Sequence, residues 1–293
     1  MDRRPVISAF VLFLVGILSA GPASQAAAAQ GATLAAASPV ATSDFSGLVD
    51  IGGRKLYLEC RGQGNPTVIL EAGAYARADV WSRDNQRQAG VRTRDKVADL
   101  HALLRAADIR GPYVLVAHSA GGLVVRLYAS MYPDEVVGMV LLDSTHEDVW
   151  LRFQEALTPA QWAEFESLTV INQKLLDAYP ETERWFTAPL ADDATTGQVR
   201  QSRANAPLRP MPLVVLAHGI AFAAPSRGWP SDKMEGIMTA LQEDLAELVP
   251  NAHYAIATKS GHNIHQDQPE LVIAAIREVV EAVRNPSTWA PAP

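Results

Sequence analysis

The densest chemistry in this sequence lies between Tyr113 and Tyr128, where a β-branched apolar burst gives way at Ser119 to a helical pattern. A serine at so tight a strand-to-helix corner stands clear of the backbone. It needs small residues two positions away on either side, because a larger side chain would collide with the turn. Ala117 and Gly121 supply them, Ala117 standing where the G-x-S-x-G pattern has its first glycine. A helix starting at Ala120 aims unbonded N–H groups and a partial positive charge at the space above Ser119, a place for an oxyanion. A bare structural turn would look similar, but the strand and helix that the motif requires are present on both sides.

A serine hydroxyl attacks a carbonyl only when a base takes its proton. Of seven histidines, His262 follows the last strand and precedes the last helix, at the same C-terminal sheet edge as Ser119. His265 is its competitor, while His118, His218 and His101 read as turn-packing, loop and helix-surface residues. Two carboxylates could orient the imidazole. Asp143 ends the apolar run Val136 to Leu142, and Asp232 follows the strand Leu213 to Ala217 after a stretch with no acid from His218 to Ser231. Asp232 also has a structural reading, with Ser231 as N-cap and the helix dipole favouring a carboxylate in the first turn. Asp143 is therefore preferred and Asp232 is the alternative. His146, Glu147 and Asp148 lack further ligands for a metal and read as a solvated loop, so no metal is expected.

Positioning these groups requires a sheet. From Ser46 onward short apolar runs alternate with amphipathic stretches, the pattern of an α/β fold with a mostly parallel sheet flanked by helices. Leu48 to Ile51 and Lys55 to Cys60 flank Gly52-Gly53 as a hairpin. Thr67 to Leu70, Tyr113 to Ala117, Val136 to Leu142, Leu213 to Ala217 and Tyr254 to Ala257 read as buried strands. Helices are expected over 94–107, with Thr93 as N-cap, over 232–249, and from Pro269 to about Arg284.

The chain has 293 residues and a formal charge of −7, the wrong sign for a protein held on phosphate backbones, so nucleic acid is not expected as a partner. Cys60 is the only cysteine, which excludes an intrachain disulfide and a cysteine-based zinc site. Arg3 and Arg4 precede an apolar run of about 15 residues, short of a bilayer span, followed by an alanine-rich stretch suited to cleavage. Residues 1–29 thus read as a signal peptide and 30–45 as a linker. The protein would be secreted or periplasmic, with no stable membrane span once the signal is removed.

The order of strand, glycine-containing turn, serine elbow, Asp after the next strand and His near the C-terminus resembles the α/β-hydrolase superfamily over residues 46–285, leaving 286–293 as a tail. Leu70-Glu-Ala-Gly73, Ala117-His-Ser-Ala-Gly-Gly122, Leu142-Asp-Ser-Thr-His-Glu-Asp148 and Gly261-His262 are similar to bacterial serine hydrolases of the esterase/lipase type. The resemblance implies an α/β-hydrolase fold with an eight-strand sheet, no cofactor, and hydrolysis of a small-molecule acyl substrate. Ser119 is then the nucleophile, His262 the base, Asp143 the acid that holds it, and the N–H groups of Ala120 and Ala74 the oxyanion hole. Serine at the elbow argues against a haloalkane dehalogenase, which carries Asp there. One departure stands out: residues 74–92 lack the helix and strand that such hydrolases insert between the second and third strands of the sheet, as if by an internal deletion. That leaves a non-catalytic hydrolase-like protein as one alternative and an acyltransferase as another. Residues 145–190 fill the place of a helical lid. They carry Trp150, Phe153, Trp162, Phe165, Tyr179, Trp185 and Phe186, either an apolar substrate wall or packing against the body, and Thr158 to Gln161 forms a capping box.

Overall fold

The strands, in chain order, are β1 (Phe10–Val15), β2 (Phe45–Asp50), β3 (Lys55–Arg61), β4 (Thr67–Glu71), β5 (Tyr113–His118), β6 (Val136–Leu142), β7 (Leu213–His218) and β8 (His253–Ala257). In the computed structural model they form one sheet of order β2-β3-β1-β4-β5-β6-β7-β8. The structure describes residues 10–15, 44–73, 93–166, 196–224 and 226–289, of which 10–15 and 93–95 are described by their backbone. Strands β4 to β8 are parallel, and β2 and β3 form the expected antiparallel hairpin. Its turn holds Gly52 and Gly53 at φ +91° and +96°, a conformation that excludes most other residues.

Between β3 and β4 the sequence offers no strand in residues 74–92, which lie outside the described residues. The place is taken from the other end of the chain. Backbone Phe10–Val15 pairs antiparallel with β3, Phe10 opposite Arg61 and Val15 opposite Leu56, and parallel with β4 from Phe10 opposite Val68 to Leu12 opposite Leu70. Phe10–Val15, part of the apolar run that reads as a signal peptide, is thus paired inside the sheet. The physical reason is the slot itself: without an occupant, β3 and β4 would each present a row of unpaired N–H and C=O groups inside the sheet.

Helices among the described residues include α1 (Thr93–Ala106), α2 (Gly121–Met131), α3 (Val149–Ala156), α4 (Thr196–Asn205), α5 (Ser231–Ala246), α6 (Ile264–Asp267) and α7 (Pro269–Arg284). The continuous apolar strands are sorted by the pleat into two cores. Leu115, Met139, Leu141, Leu213 and Val215 face α1 and α2, packing on Leu100, Leu104, Leu123 and Leu127. Val114, Val116, Val140, Leu142, Val214 and Leu216 face α7, packing on Val272, Ile276, Val279 and Val280. Both faces of the central strands are thereby dry, and their C-terminal ends emerge at one edge.

Several local expectations shift. Pro230, not Ser231, occupies the N-cap of α5, and Ser231 is already helical. Ala120 is the N-cap of α2, which starts one residue later than expected. The capping box forms as expected: Thr158 N–H donates to Gln161 Oε1 at 3.0 Å and Gln161 N–H to Thr158 Oγ1 at 3.3 Å. Within 286–293 the chain is anchored as far as Trp289, whose ring stacks on His253 at 4.0 Å and whose indole N–H donates to Asn251 O at 3.0 Å.

Candidate active site

Ser119 sits between the end of β5 and the N-cap of α2 with φ +53°, in the left-handed region. Its N–H donates to Leu142 O at 3.1 Å, while its carbonyl accepts from Gly122 N–H at 3.0 Å and Thr145 N–H at 2.9 Å. The elbow is closed by two close approaches. A Cβ on Gly121 would lie 2.7 Å from Ala72 O, and one on Gly122 would lie 2.5 Å from Ser144 Cβ, so the backbone can turn here only where side chains are absent.

Asp143, one strand over at the end of β6, is buried and has φ +40°. Its Oδ2 lies 2.5 Å from His262 Nδ1, the loop imidazole between β8 and α6. Its Oδ1 lies 2.6 Å from His218 Nδ1 and accepts the His218 N–H at 3.3 Å. Burial alone would push this carboxyl up, but the hydrogen bonds from His218 and His262 outweigh it and hold it down at about 2. It is therefore an anion across the physiological range.

His262 is one-third exposed, and its carbonyl accepts from His118 Nε2 at 2.9 Å, which ties the loop to the residue before Ser119. The two rings lie 4.6 Å apart. Burial, then the neighbouring His262 and His265, lowers His118 to about 3, so it is a neutral donor that holds the loop. His265 faces His118 at 4.6 Å, and burial, then His262, lowers it to about 4 against the opposing charge of Asp267. Among the described residues no hydrogen bond joins Ser119 to His262. Asp232 is exposed in the first turn of α5. Ala120 lies next to Ser119 at the start of α2, and Ala74 lies outside the described residues.

A model described as "Alpha/beta hydrolase family" matches residues 42–275. The chain belongs to the alpha/beta hydrolase family. Its fold is the alpha/beta-hydrolase fold, and the membership supports hydrolase activity. Curated relatives include the uncharacterized protein YqjL of Bacillus subtilis (strain 168), 25% identical over 75% of this chain and 85% of that protein. An "AB hydrolase superfamily protein" of Gibberella zeae is 21% identical over 79% of this chain and 92% of that one. Among solved structures, Cfl2 of Burkholderia cenocepacia shares the fold at 18% identity and TM-score 0.53, covering 83% of this chain and 98% of that one. The haloalkane dehalogenase DatA of Agrobacterium tumefaciens C58 does so at 13% identity and TM-score 0.51, covering 84% and 99%.

Two sequence readings of this alpha/beta hydrolase need correction. Residues 146–148 are not a solvated loop: His146 and Glu147 are buried in a network of ion pairs. Arg126 Nη1 meets Glu147 Oε2 at 2.6 Å, His146 Nε2 meets Asp244 Oδ2 at 2.7 Å, Arg200 Nε meets Asp148 Oδ1 at 2.7 Å, and Arg203 pairs with both Glu147 and Asp244. Burial would raise Glu147, but Arg126 and His146 hold it down at about 2. His218 is the second correction. It is the last residue of β7 rather than a loop residue, and it shares Asp143 with His262. Its signal in the sequence was position: it ends a core strand beside the strand that carries Asp143.

Of residues 145–190, those over 145–166 are described, and Tyr179, Trp185 and Phe186 lie outside the described residues. Within 145–166, Trp150, Phe153 and Phe165 pack together at 5.7–6.1 Å, and Phe165 stacks on Trp229 at 5.9 Å. They cover Met234 and Leu241 of α5, so packing is the role these aromatics fill. No helix among the described residues is long and apolar enough to cross a membrane.

Proposed function

We propose that this protein is a serine hydrolase that cleaves carboxylic esters or similar acyl bonds. The observation that carries the reading is the 2.5 Å contact of His262 Nδ1 with Asp143 Oδ2, made at the sheet edge where Ser119 occupies a strained elbow. Ser119 Oγ attacks the substrate carbonyl and its proton passes to His262 Nε2. The carbonyl oxygen, now anionic, sits near the N-cap of α2, where the Ala120 N–H and the helix dipole favour negative charge. His262 then protonates the leaving alcohol. Water gives its proton to His262 as it attacks the acyl-enzyme, releasing the acid and restoring Ser119. Asp143 holds the imidazole and balances its charge while it is protonated.

Two ring nitrogens engaged by carboxylates disqualify His218 as this base, whereas His262 engages one. Phe222, exposed and with its ring 5.7 Å from His262, supports an apolar acyl or alcohol group on the substrate. Ala74 would supply the second oxyanion N–H. The sequence pattern of residues 1–29 supports secretion or a periplasmic place for the protein, but cleavage there would remove β1 from the sheet.

Beside the departure over residues 74–92, the non-catalytic reading has in its favour the lack of a Ser119–His262 hydrogen bond among the described residues. Catalytic hydrogen bonds are often long before substrate binds, so this weighs little against the Asp143–His262 contact. The test is labelling of the purified protein by a fluorophosphonate probe beside Ser119→Ala, followed by a panel of p-nitrophenyl esters. Labelling that vanishes in the variant, with ester turnover, is expected. A folded protein that neither labels nor turns over would leave the non-catalytic reading standing.

A further inference from the structure

Asp143 divides its carboxylate between two imidazoles, and only one of them takes part in the proposed reaction. The other, His218, is held on both sides by acids. Its Nδ1 lies 2.6 Å from Asp143 Oδ1 and its Nε2 lies 3.0 Å from Glu235 Oε2, from the second turn of α5. Glu235 is fixed in turn by the Phe222 N–H, which donates to Oε1 at 2.9 Å. The Phe222 ring stands edge-on to His218 at 4.8 Å and covers it. Only 6% of the His218 side chain is exposed. A carboxylate accepts and does not donate, so an imidazole placed between two of them carries a proton on each nitrogen.

We propose that His218 is a positioning residue for the hydrolase reaction: a buried imidazolium, clamped between Asp143 and Glu235, that fixes the Asp143 carboxylate and offsets part of its charge. The inference rests on the Ser119–His262–Asp143 reading and deepens it. An acid facing a single histidine lends its whole charge to the base. Here the cation on Oδ1 takes up part of the charge that Asp143 would otherwise lend to the positive imidazole formed during the reaction. The groups facing this pair are Asp143 from β6, Glu235 from α5, His118 from β5, His265 from α6 and Tyr254 from β8. His118 and His265 are held neutral by burial, and burial raises the Tyr254 phenol, so the charged members are Asp143, Glu235 and His218. The hydrogen bond to Asp143, with its charge and Glu235 adding, raises His218 to about 9 against the opposing effect of burial.

Two readouts test this on the full chain. The first is NMR of the histidine side chains in the wild-type protein, with the His218 signals assigned through bonds from its own backbone. His218 is expected to stay doubly protonated through pH 8. The second is the pH profile of kcat/KM for a p-nitrophenyl ester. His218→Asn keeps an N–H toward Asp143 but no charge, so its acid limb is expected to move up by about one pH unit, a loss of about tenfold on the acid side, with KM little changed. A neutral His218 at pH 7.5 in wild-type enzyme that still labels at Ser119 would sink the positioning role alone, and needs no variant that folds. So would a folded His218→Asn with an unmoved acid limb. Labelling of the wild type that does not depend on Ser119 would overturn the reaction and the positioning role together.

Discussion

Ser119 and Asp143 directly follow adjacent parallel strands, and both have their backbone in the left-handed region, at φ +53° and +40°. For a non-glycine residue this costs about 1–2 kcal/mol, and it persists only where the surroundings impose it. At Ser119 they do so through Leu142 O, Gly122 N–H and Thr145 N–H. Ser119→Gly is therefore expected to unfold at higher urea than Ser119→Ala, by about 1 kcal/mol, reversing the usual order of the two residues. If the alanine variant is the more stable, the elbow is not strained.

The two candidate acids are separated by rate. Asp143→Asn is expected to lower ester turnover about ten-thousandfold, because the wrong imidazole tautomer is then held. Asp232→Asn, changing an exposed side chain in the first turn of α5, is expected to leave turnover near wild type. The opposite pattern would move the acid to Asp232.

Arg126 and Glu147 are a buried ion pair, their side chains 3% and 1% exposed. The other two Arg126 nitrogens also donate, Nε to Gly122 O at 3.1 Å and Nη2 to Thr145 O at 3.1 Å, so the pair ties the α2 elbow to the segment after β6. Glu147→Gln leaves the guanidinium buried without its anion, at an expected cost of about 3–5 kcal/mol in urea unfolding. A loss below 1 kcal/mol would show that the network relaxes around the change.

The His218 clamp makes stability depend on pH. An unfolded histidine titrates near 6.5, and in the fold His218 is raised to about 9, so its contribution is complete below pH 6.5 and is lost as the pH rises through 9. Melting temperature is expected to fall between pH 7 and 9.5 in wild type and to fall less in His218→Asn. Parallel curves for the two proteins would contradict this.

Removing residues 1–29 takes β1 from the middle of the sheet. The shortened chain is expected to melt less cooperatively and at lower temperature than the full chain, with faster amide exchange in β3 and β4. A full and a shortened chain with the same melt and the same exchange would place Phe10–Val15 outside the working fold and favour its role as a cleaved signal.

What the sequence determines is local. The apolar runs fix β4 to β8 because strands buried on both faces need near-continuous apolar residues. The period of Pro269 to Arg284 fixes α7, and the small residues around Ser119 fix the elbow, since their spacing is dictated by collisions within a few residues. His262 and Asp143 were legible for the same reason: each follows a strand whose end lies at one sheet edge. The tertiary structure decides what depends on pairs far apart in the chain. It gives Asp143 two histidines, 75 and 119 positions away, instead of one. It turns 146–148 from a loop of charged residues into a buried network, because the arginines that neutralise it come from α2 and α4. It also puts Phe10–Val15 between β3 and β4. An apolar run of that length suits an export signal or a strand equally well, and its pairing here depends on a slot between β3 and β4 that residues far along the chain create.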